Sequence, residues 1–156
     1  MKKRKGITTA SRKAKGRVLQ NRIAESVRDI ILMTESDVKP AIVSESGADL
    51  KLSKKARRRF PFYVEAKNHE RLSIFAELEK LDGVVKAANE KMERSPKYRC
   101  GLLVFKRNRT NPYVALPLKD FLKIWERYLV CSREIQDKVG EDQRLKEKIA
   151  LPSWRE

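Results

Sequence analysis

Cysteine, histidine and long apolar runs are all scarce in this chain of 156 residues. Its two cysteines, Cys100 and Cys131, lie far apart with no CxxC spacing. That argues against a disulfide framework or a thiol redox motif and reads as two small hydrophobes in a reducing compartment. With His69 as the single histidine, a zinc site is not expected. No apolar stretch approaches the length of a membrane span, so no membrane partner is expected. The opening Met-Lys-Lys-Arg-Lys has the charge of a secretory leader but lacks the apolar segment that should follow, so no export is expected. Aromatics are 7% of the residues, and Phe60, Phe62, Tyr63 and Trp125 read as core side chains rather than stacking platforms.

Acidic residues are also few relative to basic ones. Lys plus Arg number 37 and Asp plus Glu 21, a difference of 16 positive charges. Charged residues make up 37% and hydrophobic ones 40%, enough apolar material for one domain with a core of its own. The positive excess is clustered, so a polyanion is the expected partner.

Hydrophobic periodicity predicts a helix from Lys15 to Met33 through Val18, Leu19, Ile23, Val27, Ile30 and Ile31. A turn region follows to Pro40, then an extended piece at 41–43, a bend at Gly47 and a strand over Asp49–Leu52. Ser53–Arg59 is a basic turn or helical stub, and Pro61 opens a strand over Phe62–Lys67. A second helix fits Glu70 to Met92 through Leu72, Phe75, Leu78, Leu81, Val84 and Val85, with Gly83 weakening its middle. Strands over 101–106 and 113–116 flank a basic hairpin, and a last helix fits Phe121–Val130. This order predicts an α/β fold with a central mixed β-sheet flanked by helices. Residues 1–13 read as a basic flexible arm, 14–135 as the domain and 136–156 as a charged tail.

The chemistry concentrates in Asp49 and the run Val64-Glu65-Ala66-Lys67-Asn68. Along a strand Glu65 and Lys67 point one way, Val64 and Ala66 the other. A charged pair on an otherwise apolar strand is costly if it serves packing alone. If a turn brings Asp49 alongside, two carboxylates and an ammonium converge, a set suited to a divalent cation and an attacking water. In a chain this basic the substrate would be a phosphodiester. The bland alternative is a surface salt-bridge set of little energetic weight.

With Gly47-Ala48-Asp49, Val64-Glu65-Ala66-Lys67-Asn68 and the strand Leu102–Phe105, the chain from Lys15 to about Tyr128 resembles the PD-(D/E)XK nuclease superfamily. Within it, the small Holliday-junction resolvases of archaea and phages are the most similar. The resemblance implies a restriction-endonuclease-like core and a magnesium or manganese ion held by Asp49, Glu65 and the carbonyl of Ala66. Lys67 would orient or deprotonate the water. It further implies a homodimer making paired nicks in four-way DNA junctions, in the cytoplasm of a bacterium or phage-infected cell. Family resolvases carry a further glutamate on the first helix where this chain has Gln20; either Gln20 or Glu45 would complete the site. DNA backbone contacts are expected from Lys13, Lys15 and Arg17, from Lys54, Lys55, Arg57, Arg58 and Arg59, and from Arg107 and Arg109. A nicking or repair endonuclease for branched or flapped DNA is the alternative enzyme, and a non-catalytic nucleic-acid-binding protein the alternative outside catalysis.

Overall fold

The computed structural model describes residues 9–42, 47–93 and 95–150. The chain divides into two compact units, Met1–Pro117 and Leu118–Glu156. Among the described residues no helix is long and apolar enough to cross a membrane.

Helix α1 spans Thr9–Ile31, so the basic segment expected to be flexible is helical from Thr9 onward. Alanines and long straight-chain residues there favour helix. Leu19, Ala24, Val27 and Ile31 are buried, while Val18 and Ile30 face solvent, contrary to the stripe read from the sequence. Spacings of three and four residues also place Gln20 on the inner edge beside Ala24. The helix ends where Leu32 takes a left-handed φ of 50°, and the Met33 N–H returns to the Arg28 carbonyl at 3.1 Å.

Strands β1 (Val38–Pro40) and β2 (Leu50–Leu52) pair antiparallel, Val38 opposite Leu52 and Pro40 opposite Leu50. Their buried positions are Val38, Leu50 and Leu52, and Lys39 and Lys51 occupy the other face. The first strand thus falls earlier than the 41–43 segment expected; the two-residue period of Val38 against Pro40 decides it. Ser53 caps α2 (Lys54–Arg59), its Oγ accepting from the Ala56 N–H at 3.1 Å while donating to Asp37 at 2.7 Å.

Strand β3 (Phe62–Asn68) is parallel to β4 (Cys100–Lys106), with Glu65 opposite Leu103 and Lys67 opposite Phe105. A parallel pair needs a crossover, and α3 (Ile74–Glu90) supplies it. Strand β5 (Tyr113–Ala115) adds antiparallel to β4 as the edge of a three-stranded mixed sheet, ordered β3-β4-β5. The unit is therefore a small mixed α/β sheet flanked by helices. Helix α3 starts four residues later than expected and turns Phe75 outward; Leu81 and Val85 are its buried anchors. Leu81 lies so close over β4 that a Cβ at Gly101 would stand 2.4 Å from its Cγ. Asn89 then clamps Tyr98 through both backbone groups, at 2.9 Å and 2.8 Å.

Among the described residues the second unit is one helix, α4, running Leu118–Ala150 where a shorter helix and a tail were expected. Charged side chains do not end helices, and no proline interrupts this run. Phe121, Leu122, Trp125, Tyr128 and Leu129 are all exposed along it.

Candidate active site

The edge of β3 that faces β2 carries the site. Asp49 sits just before β2, and its N–H donates to the Val64 carbonyl at 2.9 Å, which fastens the turn to β3. Gly47 makes the turn possible with a φ of 112°, a conformation that strains any side chain. The Asp49 carboxylate then reaches along β3: Oδ2 accepts the Ala66 N–H at 2.6 Å. Its Oδ1 accepts the Gln20 side-chain N–H from α1, also at 2.6 Å. Residues from three separate elements thus meet at one carboxylate, and Gln20 is among them.

On the opposite side of β3 from Val64 and Ala66, Lys67 donates to Glu65 Oε1 at 2.8 Å. It also lies 3.5 Å from Glu77 Oε2 of α3. Glu77 is the residue sequence reasoning missed. The available signal was its place in the inner stripe of α3, three residues after Ile74 and four before Leu81, where a carboxylate is unusual.

The electrostatics follow from crowding. Burial pushes the Asp49 carboxyl up from its ordinary value; the Ala66 N–H opposes this, the Glu65 charge adds to it, and Gln20 and Lys67 lower it. Lys67 ends above its ordinary value: burial pulls it down, but the Glu65 hydrogen bond and charge, then Glu77, outweigh that. Lys67 is therefore held as an ammonium shared by two carboxylates, while Asp49 is balanced by neutral N–H donors. Tyr63, two residues before Glu65 on the same face, is pushed up to about 12 by burial and then by Glu65, Tyr98 and Asp49.

A hard divalent cation fits the donor chemistry. Asp49 and Glu65 offer oxygen only, and each Asp49 oxygen keeps a lone pair after accepting its N–H. Its raised pKa marks a place where added positive charge would be favourable. Among the described residues, no three His, Cys, Asp or Glu side chains are grouped closely enough to enclose an ion. Glu45 lies outside the described residues.

The expected basic contacts divide into two zones. At the Lys67 end of β3, Asn68 donates to the Lys15 carbonyl at 3.4 Å, and Arg17 donates to the Ala41 carbonyl. The turn with exposed Arg107 and Arg109 is at the same end, where the His69 N–H meets the Lys106 carbonyl at 3.1 Å. Lys13 is exposed on the first turns of α1. Helix α2 lies at the other end, since Lys67 stands five residues beyond Phe62, roughly 17 Å at strand rise. There Lys54, Lys55 and Arg58 are exposed. Arg59 is tethered to the Ile31 carbonyl at 2.8 Å. Arg57 departs from the expectation of a solvent-facing contact. It turns inward to the Leu52 carbonyl at 3.2 Å, the Pro96 carbonyl at 3.4 Å and Met92 Sδ at 3.3 Å, and stacks over Tyr98. No protein-family model, curated protein or solved structure matches the chain.

Proposed function

We propose that this chain is a metal-dependent endonuclease of the PD-(D/E)XK kind that cuts branched DNA, with the four-way junction as its principal substrate. The observation that supports the reading is the Asp49 carboxylate bonded to the Ala66 N–H, within reach of the charges of the paired Glu65 and Lys67 on either side of Ala66, in a chain with 16 excess positive charges. Packing alone gives no reason to hold three ionisable groups there.

Asp49, Glu65 and the Ala66 carbonyl would hold magnesium or manganese. Such an ion, when bound, lowers the pKa of its water and draws charge from the phosphate oxygens. The protein's own part is placement. Gln20 and the Ala66 N–H fix the Asp49 carboxylate plane. Glu65 and Glu77 fix Lys67, whose raised pKa keeps it a charge donor toward the phosphate rather than a base. The two basic zones flanking the site along β3 give a DNA backbone cationic contact on both sides of the reacting bond.

Resolution of a four-way junction needs two symmetric nicks, which a homodimer delivers with equivalent sites. The exposed apolar face of α4 is a candidate surface for that pairing. A nicking enzyme for flapped DNA would use the same centre. One observation favours a non-catalytic DNA-binding protein instead: Gln20 is a neutral amide where a third carboxylate would strengthen cation binding. Incubating the protein with labelled four-way junction, linear duplex, flap and RNA, in magnesium or in chelator, separates these readings. Paired nicks in the junction, abolished by chelator, support the proposal; tight binding without a cut overturns it.

A further inference from the structure

Two cavities adjoin the candidate site and share Gly47, Tyr63 and Val84 as their common wall. The smaller, about 240 Å³, holds Glu65 and Glu77. The larger, about 610 Å³, is lined on its polar side by Lys51, Arg57 and Lys91. Ala87 and Ala88 on α3 give it an apolar lining, and Met92, just after α3, lines it beside the Arg57 guanidinium, 3.3 Å from its Sδ. A volume of this order suits a small organic group such as a nucleotide.

The polar side is placed for an anion. A Cβ at Gly47 would lie 3.4 Å from the Lys51 ammonium and 3.9 Å from the Tyr63 hydroxyl, so both groups border the junction of the two cavities. Arg57 brings a guanidinium whose hydrogen bonds, among the described residues, go to two carbonyls and a thioether, all neutral, and whose buried Nε has no hydrogen-bond partner among them. A half-buried cation balanced by neutral acceptors gains from a nearby anion. Stacking over Tyr98 holds it in place.

We propose that the larger cavity takes one unpaired nucleotide of the DNA strand, its base against Ala87 and Ala88 and its phosphate at Lys51, Tyr63 and Arg57, with Met92 beside Arg57 as the reporter of occupancy. This rests on the nuclease reading in making that phosphate the neighbour of the one beside Asp49 and Glu65. Substrates with base pairs already open at the branch point would be selected, because a paired base cannot enter. Selection would then come from the unpairing that the cavity demands rather than from base sequence.

The test uses the full chain in chelator, so that binding is read without cutting. A strand of four thymidines is titrated against protein carrying ¹³C-methyl methionine, beside a blunt-ended duplex with no unpaired base. The single strand should shift the Met92 methyl and leave Met33 unmoved. Ala87→Trp, on the exposed side of α3, should weaken the single strand roughly tenfold and leave the blunt duplex unchanged. An unmoved Met92 methyl, or equal weakening of both DNAs by Ala87→Trp, overturns the proposal. A protein that cuts junctions yet shows no Met92 shift loses only the cavity assignment. One that shifts Met92 but cuts nothing keeps a nucleotide pocket and loses the nuclease.

Discussion

Gln20→Glu tests whether the Asp49 corner is built for a cation. The amide nitrogen now stands 2.6 Å from Asp49 Oδ1 as a donor. Glutamate replaces that donor with an acceptor carrying a negative charge. Two unit charges about 4 Å apart repel by about 4 kcal/mol at an effective dielectric near 20. Part of this is relieved when Asp49, already raised by burial, takes up a proton, and part when the new side chain swings away. A net loss of about 1–3 kcal/mol without metal is the expectation, of the order seen for a buried acceptor left without its donor. For a chain of this size each kcal/mol moves the midpoint by about 2–4 °C. Thermal melting at mildly alkaline pH, in chelator and in millimolar magnesium, reads both effects. The variant should melt below wild type in chelator and recover most of the difference in magnesium, with a larger magnesium-induced rise than wild type. Equal melting in chelator would show that Gln20 does not govern the carboxylate. A deficit that magnesium leaves untouched would refute cation binding at this corner.

Asp49→Asn should stabilise the metal-free protein while abolishing cutting. A raised folded pKa means the neutral carboxyl is the better-tolerated form, so charge at this position costs stability as pH rises through that pKa. The variant should therefore exceed wild type in urea at neutral pH, with the gap closing in acid; a gap that persists in acid would refute the cause given. Lys67 has the reverse sign: its stabilisation is present below the ordinary lysine pKa and fades as pH rises through the higher folded value. Lys67→Met should thus flatten the alkaline limb of the stability profile, and an unchanged limb would contradict the pairing with Glu65 and Glu77. Gly101→Ala forces a Cβ into Leu81 and should cost about 1–3 kcal/mol in urea unfolding; a neutral result would mean α3 shifts freely. Changing Lys54, Lys55 and Arg58 together to Ala should reduce the salt dependence of DNA binding by about 2–3 in log–log slope, and an unchanged slope would remove α2 from the interface. Replacing Phe121 and Trp125 by Ser on the exposed face of α4 should yield a monomer by light scattering, with a melting midpoint that no longer rises with protein concentration; a persistent dimer would place the pairing elsewhere.

How far the sequence led depended on how local each signal was. The Glu65-x-Lys67 pair was legible because strand alternation is a local property, and Lys67 does reach Glu65. That Asp49 would join them was an inference across a turn; it rests on the Gly47 conformation and a backbone bond to Val64, neither visible in composition. Glu77 was missed because its partner lies ten residues earlier on another element. Arg57 was misread because a run of arginines looks uniformly solvated. Only the fold shows that helical spacing sends the middle of the run inward, while Arg58 stays outside. The start of α1 was hidden by its charge, which hides helix from a hydrophobic period but does not oppose it. Boundaries of β1 and α3 moved by a few residues where short apolar runs fit two registers equally well.

The most direct test of a cation centre at Asp49 and Glu65 is manganese binding followed by water-proton relaxation, which needs no substrate and no turnover. Wild type should show a saturable enhancement displaced by magnesium, and Asp49→Asn and Glu65→Gln should each lose it while remaining folded by circular dichroism. Undiminished manganese binding in both variants, or none in wild type, would contradict the account.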